Sequence, residues 1–270
     1  MRRAALILVA AATLTLVAVG VLAGCGSSSG ASSSPAPHKL TVFAASSLTK
    51  VFPRIAADFQ KTHPGTRFAF NFAGTDTLTA QIEQGAPADV FAGASTKYGD
   101  ELSGKGLIDV PQAFATNRLI VILPAANPAH VTSLNDLAKP GVKLVIGDST
   151  VPIGTYTRKV LADLDATYGV GYSAKVLKNV VSNALQVTSV VNTVELGEAD
   201  AGFVYVTDAL SAGTKVARIT LPTAAQAVAT YPVAAVKGST NAALAQQLAT
   251  FLLGADAQAL LKQAGFGPPQ

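Results

Sequence analysis

Two adjacent hydroxyls, Ser46 and Ser47, follow the apolar run 40–43 and the small residues Ala44 and Ala45, and a helix-type pattern begins behind them. Ser is a preferred helix N-cap, and a helix start offers free backbone N–H groups and a partial positive charge. Together they make an anion site without a charged side chain. Three further junctions repeat the theme. Residues 74–77 read Gly-Thr-Asp-Thr after a strand ending at Phe72, residues 151–155 read Val-Pro-Ile-Gly-Thr, and residues 183–188 lead into a fourth helix. Tyr205 closes the apolar run 201–204, where a phenol can donate a hydrogen bond into a cleft. Singly, each junction is also an ordinary cap, and Tyr205 also a packed tyrosine with its hydroxyl at the surface.

Catalytic equipment is scarce. His38, His63 and His130 sit in linker or loop contexts, and none pairs with a carboxylate or another histidine at metal-ligand spacing. There is no Gly-x-Ser-x-Gly elbow, no phosphate loop and no dinucleotide fingerprint. Asp163 and Asp165 lie two apart on a helix, point in different directions and read as solvated. Tryptophan is absent, which removes sugar stacking on an indole. The formal charge is +4, or +2 with Arg2 and Arg3 set aside, and no basic patch or run points to nucleic acid. No cofactor is indicated, and binding rather than catalysis is the function class to expect.

The elements that must position these groups alternate in type. Strands are expected at 40–43, 66–72, 90–92, 117–123, 143–146, 176–181, 201–205, 216–219 and 233–236. Phe68, Phe70 and Phe72 give the second a clear period of two. Helices are expected at 48–61, 77–84, 95–105, 154–165, 185–196, 241–253 and 256–263. Such alternation predicts an α/β protein with mostly parallel sheets flanked by helices, whose ligands sit at the carboxyl ends of strands.

The start of the chain reads differently. Arg2 and Arg3 precede an apolar stretch of about 20 residues, long enough to span a bilayer as an uncleaved anchor, and Leu22-Ala23-Gly24-Cys25 resembles a bacterial lipobox. The favoured reading is a lipoprotein signal peptide over residues 1–24, lipidation at Cys25 and a Gly/Ser/Pro/Ala tether through residue 38. Cys25 is the only cysteine, so the exported domain has no internal disulfide. Both readings place the protein outside the cytoplasmic membrane, on its outer face or in the cell envelope.

Phe-Ala-Ala-Ser-Ser-Leu-Thr at 43–49, Thr77-Leu78 with Gln81-Ile82, and Gly-Ala-Pro-Ala-Asp-Val-Phe at 85–91 resemble the molybdate-binding proteins of ABC importers. Residues 151–156, Gly-Phe-Val-Tyr-Val-Thr-Asp-Ala at 202–209, Tyr231-Pro232-Val233 and Gly265-Phe266 continue the resemblance in order over nearly all of 39–270. It implies a two-lobed periplasmic-binding fold (type II), each lobe a doubly wound sheet, with the ligand in the cleft between lobes. The expected lobes are 39–116 plus 232–270, and 117–231. The implied ligand is molybdate or tungstate, held by the hydroxyls of Ser47, Thr75 and Tyr205 and the backbone N–H groups of Ile153 and Val187, with Ser46 as a supporting cap. Thr75 stands where the family usually has serine, and Ile153 where relatives often have alanine. Asp76 lies beside this set and is expected to point outward. An ABC permease is the implied partner of a monomeric receptor. Three alternatives stay open: a receptor for sulfate or another oxyanion on the same fold, a ferric-ion receptor using tyrosines, and an exported hydrolase.

Overall fold

A computed structural model describes residues 38–270; the expected signal peptide, the expected lipidation site Cys25 and most of the expected tether lie outside the described residues. The chain forms a mixed sheet flanked by helices, with strands in the order β2-β1-β3-β9-β4-β7-β5-β6 and β8 beside β4. At one end β1 (Lys39–Ala45) pairs in parallel with β2 (Arg67–Ala73) and β3 (Val90–Ala92). At the other, β5 (Leu144–Gly147) pairs in parallel with β6 (Val180–Ala184) and β7 (Ala201–Tyr205). The antiparallel pairs are confined to the middle and involve β4 (Gln112–Pro124), β8 (Val216–Thr220) and β9 (Val228–Ala235). β4 serves both ends: Gln112 to Arg118 pair with β9, and from Leu119 on the strand pairs with β7.

Periodicity explains the first layer. Phe68, Phe70 and Phe72 stack in a row on one face of β2, and Phe59 and Phe52 of α1 (Phe52–Thr62) meet that row edge-on. The expected helix over 48–61 starts later than the apolar stripe suggests. Ser46–Leu48 form a single 3-10 turn, and α1 begins at Phe52 because Pro53, which lacks an N–H, fits only the first turn of a helix. Ser46 makes no side-chain cap bond there; Ala45 is the capping position. The expected strand over 176–181 is split. Tyr172–Lys178 are helical (α5), with Tyr172 and Val176 buried one turn apart, and only from Val180 does the chain join the sheet. The remaining helices are α2 (Thr75–Glu83), α3 (Thr96–Gly104), α4 (Pro152–Tyr168), α6 (Val187–Glu195), α7 (Val206–Ala212), α8 (Ala242–Leu253) and α9 (Ala255–Gln263).

Asp163 and Asp165 are not simply solvated. Asp163 pairs with Lys159, while Asp165 accepts from the backbone N–H and hydroxyl of Ser173 and ties α4 to α5. The buried Asp89 explains the end of the Gly-Ala-Pro-Ala-Asp block. Its carboxylate accepts from the Thr41 N–H at 2.6 Å and from the side chains of Ser239 and Asn241, joining β1 to the segment after β9.

Candidate functional site

The five expected contact residues come from five different elements and line one small cavity. Ser47 lies in the 3-10 turn after β1, Thr75 is the first residue of α2, and Tyr205 is the last of β7. Ile153 and Val187 are the second residue of α4 and the first of α6. In those first turns backbone N–H groups have no acceptor within their own helix. Gly154 is what lets α4 begin so close to β5: a Cβ there would lie 1.7 Å from the Asp148 carbonyl oxygen.

No lining residue carries a charge. The cavity has a volume of about 20 Å³, far below the roughly 300–1,000 Å³ of pockets for drug-sized organic molecules. It suits one small polyatomic ion. Two larger hollows exist, of about 500 Å³ beside α6 and α7 and about 660 Å³ around Asp89, but neither contains an orphaned buried donor. The small cavity does. The Tyr205 hydroxyl is fully buried and has no hydrogen-bond partner among the described residues, although buried polar groups are nearly always paired.

The two shorter hydroxyls are oriented by the protein. The Thr75 Oγ1 accepts from the Ala94 N–H at 3.1 Å, which leaves its own proton free to donate. The Ser47 Oγ lies 2.9 Å from the hydroxyl of Tyr231. Burial holds the Tyr205 and Tyr231 phenols well above their ordinary pKa, so both stay protonated. The arrangement is a set of neutral donors around a hole, the chemistry of a site for an oxyanion that only accepts hydrogen bonds.

Asp76 does not face solvent freely. Its Oδ1 is buried without a partner among the described residues and lies against Gly74, which the Leu185 carbonyl also approaches, yet Asp76 is not among the cavity-lining residues. Nearby, the Tyr98 hydroxyl donates to the Thr150 carbonyl, and burial followed by the Asp76 charge raises the Tyr98 phenol. No role at the site was expected for Tyr231, yet it is wholly buried there, with its ring 6.0 Å from that of Tyr205. Its sequence signal was the run Tyr231-Pro232-Val233, which continues the family resemblance. Two tyrosines at one site suit a ferric ion only as phenolates, and burial opposes that ionisation in both. Among the described residues no group of three or more His, Cys, Asp or Glu is gathered to hold a metal ion.

An α/β fold with a charge-free donor cavity, lined by strand ends and helix starts from both ends of the sheet, is the architecture of a solute-binding protein, which binds and does not catalyse. The chain matches the model of bacterial extracellular solute-binding proteins over residues 40–267 and belongs to that family, among the relatives of molybdate-binding proteins of the ModA type. It is 40% identical to the molybdate-binding protein ModA of Mycobacterium tuberculosis over 244 residues, 88% of this chain and 90% of that one. The solved periplasmic molybdate-binding protein of Azotobacter vinelandii superposes with a TM-score of 0.74 at 25% identity, over 86% of this chain and 100% of that one. The sulfate-binding protein SubI of Mycobacterium tuberculosis superposes with a TM-score of 0.76 at 18% identity, over 86% of this chain and 87% of that one, a likeness of fold alone.

Proposed function

We propose that the protein captures molybdate, and tungstate with it, outside the cytoplasmic membrane and delivers it to an ABC permease. The observation that carries this reading is the unpartnered, buried Tyr205 hydroxyl facing a charge-free cavity, supported by the ModA relatives. Ser47, Thr75 and Tyr205 donate through hydroxyls, and Ile153 and Val187 through backbone N–H groups. Hydrogen bonds to a charged partner contribute about 1.5–3 kcal/mol each, so five donors offset the dehydration of a small dianion only when all converge on it. Convergence requires the two lobes, 39–116 plus 232–270 and 117–231, to close on the ion. Lipidation at Cys25 holds this monomeric receptor on the membrane's outer face, and the closed form presents its surface to the permease.

Sulfate is the competing ligand, because SubI shares the fold and sulfate has the same charge and shape. Size decides between them in a cavity this small. Titration calorimetry with molybdate, tungstate, sulfate and phosphate is expected to give tight binding of the first two only. Sulfate bound as tightly as molybdate would overturn the assignment.

A further inference from the structure

Neutral donors hold a small anion at contact but draw it weakly from a distance, because the field of a dipole fades faster than that of a net charge. The pull on an ion in solution has to come from beside the cavity. The hollow of about 500 Å³ by α6 and α7 adjoins it, and Ser46 and Ser47 line both. Its walls come from the turn after β1 and the start of α1 on one side and from α6 and α7 on the other.

Five charged side chains line this hollow: Lys50, Arg54, Glu195, Asp208 and Lys215. Glu195 and Lys215 pair at 3.0 Å and cancel. Asp208 is buried, and burial keeps part of its population protonated near neutral pH. Lys50 and Arg54 are exposed, and neither is in an ion pair among the described residues. Arg54 donates to the neutral side chain of Gln263 at 3.0 Å. The balance of the hollow is therefore positive, next to a site that has no charge at all.

We propose that this hollow is a capture vestibule, in which Lys50 and Arg54 attract tetrahedral dianions and pass them to Ser47 at the edge of the neutral site. Charge at a rim governs the rate of arrival and leaves the bound geometry to the donors inside. Neither cation is part of the support of Ser47, whose Oγ lies 2.9 Å from the Tyr231 hydroxyl, with the Asn117 Nδ2 3.4 Å from that hydroxyl in turn. Removing the two charges leaves that wall of the site in place.

Stopped-flow mixing of the protein with molybdate tests this at about 0.01 M and about 1 M sodium chloride, where charges are felt over about 30 Å and about 3 Å. The double variant Lys50→Gln/Arg54→Gln is expected to slow association by about fivefold to tenfold at low salt and by less than about twofold at high salt. Its dissociation rate is expected to stay within about twofold of the wild type. Lys50→Arg/Arg54→Lys keeps both charges and is expected to restore the wild-type rate. Lys39 and Lys237 are exposed beside the hollow around Asp89, which shares no residue with the site. Lys39→Gln/Lys237→Gln makes the same change in net charge there and is expected to slow association by less than about twofold. A Lys50→Gln/Arg54→Gln protein that associates as fast as the wild type, a deficit that persists at high salt, or a control as slow as that variant overturns the vestibule. This inference rests on the oxyanion reading. A wild-type protein that binds sulfate and not molybdate removes the molybdate assignment, while the same rates measured with sulfate still decide the vestibule. A wild-type protein that binds no tetrahedral oxyanion at equilibrium removes both.

Discussion

Tyr205 holds a fully buried hydroxyl that bonds to no group among the described residues, and a buried polar group left unpaired costs about 1–3 kcal/mol. Stability and function therefore pull apart at this residue. Tyr205→Phe is expected to raise the melting temperature of the ligand-free protein by a few degrees while weakening molybdate binding by about tenfold or more. Melting curves and calorimetry on the variant check both halves, and a lowered ligand-free melting temperature would show that the hydroxyl has a partner after all. The five cavity-lining residues were legible because each lies at a junction between a strand and a helical turn, and the family motifs then picked among them. Tyr231 and Asn117 were not. Their bond spans 114 positions in sequence and depends on the register of β4 against β9, which no local pattern encodes. The Asp76 orientation was illegible for a similar reason: its oxygen is enclosed at the approach of Leu185 to Gly74, a contact between distant segments.

Among the elements, α7 shows how a helix start serves the site beside it. Asp208, the third residue of that helix, accepts from the Tyr205 backbone N–H at 3.2 Å and so fixes the end of β7. Burial pushes its carboxyl up to about 7, against a smaller opposing pull from that same N–H. The folded protein then holds a proton that the unfolded chain releases in the usual carboxylate range, so stability falls as pH rises from that range through about 7. Asp208→Asn keeps an acceptor and loses the titration. Its melting temperature is expected to gain on that of the wild type steadily between about pH 4 and pH 8. A difference that stays flat over that range would mean the carboxyl titrates normally. The sequence showed most elements through their periods, β2 most clearly. It placed the start of α1 too early because Leu48 and Val51 continue the stripe although they precede the helix, and it mistook the end of α5 for strand because Val176 and Leu177 suit either state.

On the scale of the whole molecule, the described domain is only part of the proposed device. A receptor fixed to the membrane searches a thin layer near its permease, so anchoring raises the effective concentration of loaded receptor there. Cys25→Ser is expected to move the protein from the membrane fraction to the soluble one with its molybdate affinity unchanged, and a variant that still sediments with membranes would point to an uncleaved anchor instead. The central strands carry a further consequence. β4 pairs toward both ends of the sheet and β9 joins it to β3, and Asn117 and Tyr231 sit in the stretch that β4 and β9 share. Ser47 follows β1, at the same end as the β3–β9 pair. A bend between the halves would part Tyr205, Ile153 and Val187 from the ion while leaving the Ser47–Tyr231 pair together. An arriving ion would then meet a hydroxyl already held in place by its buried neighbour before the opposite jaw reached it.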